Sequence, residues 1–199
     1  MGKESAKRQN DIGNRLIRRM SPDPDTTFRP LAEADFPAFT EWLNRPHLRR
    51  FFQKKPISQA EVIAKYGRSV RGETPTRCHL SLLDGRPFGY LQCYRIAAYP
   101  DWARLIGEND GIGVDLLIFE PELIGKGLGR AMLSGYLRNV AFPLFPEERR
   151  CFIGQEDENV AGWRTSESVG FRFVRDFVED GAPSRLLVLE RGEMAESCG

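Results

Sequence analysis

The sequence is short of the residues that build metal sites and disulfide frameworks. Its 199 residues include four cysteines, Cys78, Cys93, Cys151 and Cys198, and two histidines, His47 and His79. The cysteines are far apart and no Cys-x-x-Cys occurs, so neither a zinc site nor a disulfide scaffold is expected, and the thiols read as reduced. Long apolar runs are missing too. Stretches such as residues 80–83 and 114–119 fall well short of the ~20 residues a membrane helix needs, so no membrane partner is expected. The opening residues, Met1 to Arg8, are polar with no apolar core behind them, which argues against a secretory leader and for the cytoplasm. Nor does one charge dominate, since 29 Lys and Arg stand against 28 Asp and Glu. Basic excess is confined to residues 1–19, where six Lys or Arg face Glu4 and Asp11. Nucleic acid is therefore not the expected partner.

What is present fits one globular domain, with 41% apolar residues and enough length for a sizeable core. Residues 1–25 form a basic arm closed by Pro22 and Pro24, residues 26–191 the domain, and residues 192–199 a tail. Residues 26–30 read as an extended segment. Phe36, Phe39 and Leu43 mark the first amphipathic helix, which is expected to stop before Pro46. Ser58 and Glu61 form a capping-box pattern opening a second helix that ends near Gly72. Asp84-Gly85 between two apolar runs signals a β-hairpin. A polar loop is expected over residues 97–111, then a buried strand over residues 114–119. A long amphipathic helix follows the glycine cluster, marked by Leu128, Met132, Leu133, Leu137 and Val140. A strand, a short helix after Asn159 and two last strands complete an α/β fold with a mixed sheet of about seven strands and helices on both faces.

Two features carry chemistry. Gly125-Lys126-Gly127-Leu128-Gly129-Arg130 lies between a strand and a helix, where glycines allow close backbone approach and leave N–H groups facing outward as an anion cradle. A Walker A loop would need Lys followed by Ser or Thr after its last glycine, and a dinucleotide fingerprint would need Gly in place of Arg130, so NTP and NAD are not expected. The second feature is Asp115, a carboxylate in an otherwise apolar strand, costly to desolvate unless it has partners or a task. Asp115 is the candidate general base. A covalent route has no support, since Gly-x-Ser-x-Gly and an evident Cys–His pairing are both absent.

At these residues the chain resembles the GCN5-related N-acetyltransferases, the GNAT family, whose acetyl-coenzyme A pyrophosphate rests on an Arg/Gln-x-x-Gly-x-Gly loop. Here the loop reads Ile124-Gly-Lys-Gly127-Leu-Gly129, with Ile124 in place of Arg or Gln. Asn159 and Gly170-Phe171 match a second landmark. The resemblance covers roughly residues 26–191 and implies acetyl-coenzyme A as acyl donor, held by Leu117, Ile118, Gly125, Lys126, Gly127, Leu128, Gly129, Arg130 and Asn159. It implies direct attack of an amine on the thioester, with N–H groups of Leu117 or its neighbours holding the oxyanion. An ordinary amine is neutral in only about one molecule per thousand at pH 7, a handicap of ~4 kcal/mol that Asp115 as base would offset. The family's leaving-group acid, a Tyr, falls on Ser166 here. Tyr136 or water is an alternative donor.

Within the family the chain is most similar to aminoglycoside 6′-N-acetyltransferases, through Glu41-Trp42-Leu43-Asn44-Arg45, Gly89-Tyr90 with Gln92 and Tyr94, Gly113-Val114-Asp115-Leu116-Leu117, and Asp180-Gly181 with Pro183. That implies a small cationic acceptor and antibiotic resistance. The candidate acceptor residues are Phe51, Phe52, Tyr90, Gln92, Tyr94, Asp101, Trp102, Asp115, Glu156 and Asp180. Tyr90, Gln92 and Tyr94 share one strand face and are expected to line the cleft. Acidic residues at 101, 108, 110, 115, 120 and 122, and a second cluster at 156–158, are expected near its mouth. Two departures stand out: Arg49-Arg50-Phe51-Phe52 replaces a Trp pair and a Glu, and Gly154 replaces an Asp, with Glu156 the nearest acid. Two other readings remain: acylation of a hydroxylamine-bearing, lysine-like siderophore precursor, and a non-catalytic acyl-coenzyme A binding module. The expected assembly is a monomer or homodimer.

Overall fold

The computed structural model describes residues 26–194, so the basic arm of residues 1–25 lies outside the described residues, as do residues 195–199. Seven strands form one sheet in the order β1-β2-β3-β4-β5-β7-β6. They are β1 (Thr26–Pro30), β2 (Arg77–Leu83), β3 (Arg86–Arg95), β4 (Ile112–Ile118), β5 (Arg150–Glu156), β6 (Arg172–Glu179) and β7 (Ala182–Glu190). All neighbours are antiparallel except β4 and β5.

Local chemistry explains most element boundaries. Asp84 and Gly85 both take positive φ, 50° and 74°, as the two-residue turn joining β2 to β3 demands. Helix α1 (Phe36–Leu43) buries Phe36, Phe39 and Leu43. Helix α1 stops before Pro46 as expected, and Pro46 itself opens a further helix, α2 (Pro46–Phe51), because proline in a first turn sacrifices no hydrogen bond. Helix α3 (Gln59–Val70) starts on the Ser58–Glu61 capping box. The segment expected as a polar loop contains α4 (Pro100–Ile106), opened by Pro100 and closed by Gly107 at φ 67°. At seven residues it is too short to show a clear helical period. Helix α5 (Leu128–Tyr136) runs on through a π-helical stretch, Leu137–Ala141. Helix α6 (Val160–Val169) is capped by the Asn159 side chain, which accepts from Gly162 N–H.

Strand alternation sends side chains to two helical layers. Leu91, Cys93 and Val114 pack under α5 with Met132, Leu133 and Tyr136. On the other face Leu80, Tyr90 and Leu117 meet Phe39, Leu43, Val62 and Tyr66 of α1 and α3. Helix α4 adds Ala103 and Ile106 against Phe152 and Leu186. Both histidines serve packing: the His47 ring lies 3.0 Å from the Ile118 carbonyl and His79 3.0 Å from the Tyr136 hydroxyl.

One break in the sheet positions everything that follows. Strands β4 and β5 pair only at Ile112 with Cys151 and Gly113 with Phe152, although both strands continue beyond. Past Gly113 they part, and the edge of β4 loses its neighbour on that side.

Candidate active site

A cavity of about 720 Å³ opens where the strands part. Its floor includes Gln92, Asp115, Leu116 and Leu117, and one wall is Ile153, Gly154, Gln155 and Glu156 of β5. Phe51, Phe52, Lys54, Lys65 and Tyr66 form the opposite side, with Tyr94, Tyr99 and Trp102 at one end and Glu179 and Asp180 at another.

Asp115 sits deep in this floor, directly opposite Gln92 across the β3–β4 ladder. Gln92 Nε2 donates to Asp115 Oδ2 at 2.7 Å, and the Tyr90 hydroxyl donates to Gln92 Oε1 at 2.7 Å. The two bonds fix the amide orientation, because only Nε2 can donate and only Oε1 can accept. Burial pushes the Asp115 carboxyl above its ordinary value, while the Gln92 bond and the Lys65 charge pull it partly back. Glu179 is raised further, to about 7, first by burial and then by the charges of Asp115, Asp180 and Glu156. The cleft therefore holds two carboxyls whose affinity for a proton exceeds that of an exposed acid.

The turn after β4 is built differently. Gly125 and Gly127 take left-handed φ of 77° and 79°, and a Cβ at either would meet nothing within 4 Å. Their backbone faces open space. Gly127 is the N-cap of α5 and has no side chain to satisfy the first-turn N–H groups, and that turn carries no acid. Gly129 serves contact, since a Cβ there would come within 3.0 Å of Thr165 Cγ2 on α6. Unsatisfied N–H groups at a helix start, with exposed Lys126 and Arg130 beside them, suit a diphosphate. Leu128 itself is core, and only its backbone faces the turn.

Several residues expected at the acceptor are elsewhere. Tyr90 is fully buried under Phe39 and Tyr66 and does not line the cavity; it shares a strand face with Gln92, but α1 and α3 cover that end of the face. Asp101 points to solvent, its side chain 98% exposed and bridged to Arg104. Ser166 is buried and is not among the residues lining the cavity, its hydroxyl lying 3.4 Å from Gln155 Oε1. Tyr136 is equally enclosed, bonded to His79 and Cys93 in the core.

The acidic mouth is also corrected. Glu108 bridges Arg150 and Arg175, Asp110 pairs with Arg150, Glu120 with Arg45, Asp157 with Arg185 and Glu158 with Arg50. A tally along the chain sees Arg104 as the local cation, whereas folding brings these arginines from distant segments. Of both clusters, Asp115 and Glu156 line the cavity. Gly154 has a steric reason: a Cβ there would come within 2.9 Å of Trp102 and 3.0 Å of Phe177. Among the lining residues missed in the sequence are Lys54, Lys55, Lys65, Tyr66, Tyr99 and Glu179. Glu179 adjoins the Asp180-Gly181 turn, which was the one available signal.

A parted parallel strand pair with a backbone anion cradle on one side and a sunken carboxylate on the other suits an enzyme that transfers a group from an anionic donor. The model of the acetyltransferase (GNAT) domain matches residues 32–178, and the chain belongs to this family. It is an acetyl-coenzyme A dependent N-acetyltransferase. The chain is 28% identical over 150 residues to the aminoglycoside N(6′)-acetyltransferase type 1 of Klebsiella pneumoniae, covering 73% of each. It is 24% identical over 149 residues to the lysine N-acyltransferase MbtK of Mycobacterium sp. (strain MCS), covering 71% of this chain and 57% of that one. The crystal structure of aminoglycoside acetyltransferase AAC(6′)-Ib with coenzyme A and kanamycin superposes with TM-score 0.70 at 25% identity, over 85% of this chain and 96% of that one. Among the described residues no helix is long and apolar enough to cross a membrane.

Proposed function

We propose that the chain acetylates a primary amine of a small cationic acceptor of the aminosugar type, with Asp115 as the base. The observation that carries this reading is the Asp115 carboxylate at the cavity floor, held through one oxygen by Gln92 and leaving the other to an incoming amine. A carboxylate whose affinity for protons is raised removes a proton from an ammonium more effectively than an exposed acid would. Acetyl-coenzyme A supplies the thioester carbonyl and a thiol that leaves with a pKa near ~8.5. Its diphosphate is assigned to the N–H groups of residues 125–130, and the unpaired edge of β4 beyond Gly113 is left for the extended part of the donor. Leu117, on that edge and on the cavity floor, is the assigned backbone donor to the carbonyl oxygen. Trp102 and Tyr94 give the acceptor ring a flat wall.

The similarity to acetyltransferases that act on aminoglycosides supports this class. A second reading, a lysine-like acceptor bearing an acidic group, is favoured by Lys54, Lys55 and Lys65 lining the same cavity. Thiol release from acetyl-coenzyme A, measured against kanamycin, spermidine and N6-hydroxylysine, separates the two. Turnover of kanamycin or spermidine supports the first reading, turnover of N6-hydroxylysine alone the second, and silence toward all three refutes both.

A further inference from the structure

Lys54 lies between α2 and α3, and its side chain reaches across the cavity. Its ammonium is 2.7 Å from Glu156 Oε1, at the end of β5. Glu179 and Asp180 face the same ammonium closely enough that their charges, with that of Glu156, strengthen its hold on its proton. All four residues line the cavity. Glu156 is mostly covered, its side chain 21% exposed, while Lys54 remains 50% exposed and can swing out. The acceptor cleft thus contains an ammonium of its own, bound as a second amine of the acceptor would be bound.

From this geometry we infer that Lys54 is a specificity-determining residue: it competes for Glu156 with any second ammonium on the acceptor and biases the enzyme toward acceptors that carry one amine. The inference rests on the amine-acetylation reading of the cleft. An acceptor with one amine can place it at Asp115 and leave the Lys54 pair intact. A polyamine must displace Lys54 before its second charge is matched, and until then it meets an added like charge. Solvent screens a pair with so exposed a partner, so the bias amounts to a change of at most about fivefold.

The test compares two probes, kanamycin, which carries several amines, and methyl 6-amino-6-deoxyglucoside, which carries one. KM and kcat are measured for both with the wild-type protein, Lys54→Met, Glu156→Gln and the double variant. Expected for Lys54→Met is a fall in the KM ratio, kanamycin over the monoamine, of about two- to fivefold, with the kcat ratio little changed. In the Glu156→Gln background the same replacement should shift the ratio far less, because the contested carboxylate is gone. Both positions keep solvent contact, and thermal midpoints confirm that each variant folds. An unchanged ratio, or an equal shift with and without Glu156, overturns the inference. Calorimetric titration of both sugars in the presence of coenzyme A separates the two failures. If no amine is acetylated but Lys54→Met still tightens kanamycin relative to the monoamine, the transfer reading fails and the competition stands. If neither sugar binds any variant, the competition fails as well.

Discussion

The turn after β4 and the cavity wall at the end of β5 are made of different material. The turn is backbone: left-handed glycines with nothing in front of them, at the start of a helix whose N–H groups have no side-chain cap. The wall is side chains, drawn from β3, β5, β6 and the segment before α3, and its charges are largely answered by the protein's own. A backbone site binds through groups that every residue carries, so exchanging Ile124 for the family's usual Arg or Gln leaves its geometry intact. A side-chain site depends on which residues stand where, and a single exchange such as Gly154 alters it. On the proposed reading, donor binding is thereby separated from acceptor choice.

The difference is sharpest at Gly127. Gly127→Val would force a β-branched residue to φ 79° and fill the space before the helix start. Coenzyme A affinity should fall by more than about 100-fold by calorimetry, with Gly127→Ala intermediate. Tight binding by a folded Val variant would show that the phosphates rest elsewhere.

Asp115→Asn should do the reverse, leaving coenzyme A affinity alone and lowering kcat by about 10²–10⁴-fold. Because the Asp115 carboxyl is raised, the wild-type rate should climb with pH through its titration, and the variant should lose that limb. An unaltered rate would remove Asp115 from the role of base.

Gln92→Ala is a finer probe. The lost N–H donor stabilised the charged carboxylate, so the limb should move to higher pH and kcat should fall about tenfold, the equivalent of a hydrogen bond to a charged group. Tyr90→Phe should shift the limb the same way by less, since it acts through Gln92. A limb that moves to lower pH in either variant contradicts the bonded chain seen here.

The smallest effect concerns stability. Glu179 holds its proton up to about 7 in the folded protein, above the ordinary 4.5, so the folded state binds more protons in that window. Stability should therefore decline as pH rises from 4.5 toward 7 and level off beyond. Glu179→Gln should flatten that decline and raise the melting temperature at pH 8 by ~2–4 °C, about 1 kcal/mol after screening. A decline that persists in the variant would assign it to another group.

Legibility in the sequence follows the same division. The glycine turn, the Asp84-Gly85 hairpin and the Ser58 capping box are contiguous, and their chemistry is fixed by neighbours along the chain. Asp115 stood out because a carboxylate in an apolar strand is costly wherever it lies. Tyr90 misled because alternation places residues on a face but does not say where a helix stops covering it. Lys54 and Glu179 gave little signal, since what matters in each is a partner from a remote segment. The arginines that neutralise Glu108, Glu120 and Asp157 were hidden for the same reason.

The crowding at Gly154 constrains how that position can change. An acidic side chain entering that position would press on the tips of the Trp102 and Phe177 rings, so those rings must turn aside or become smaller to admit it. A more negative cavity by that route is therefore coupled to a change in the aromatic wall.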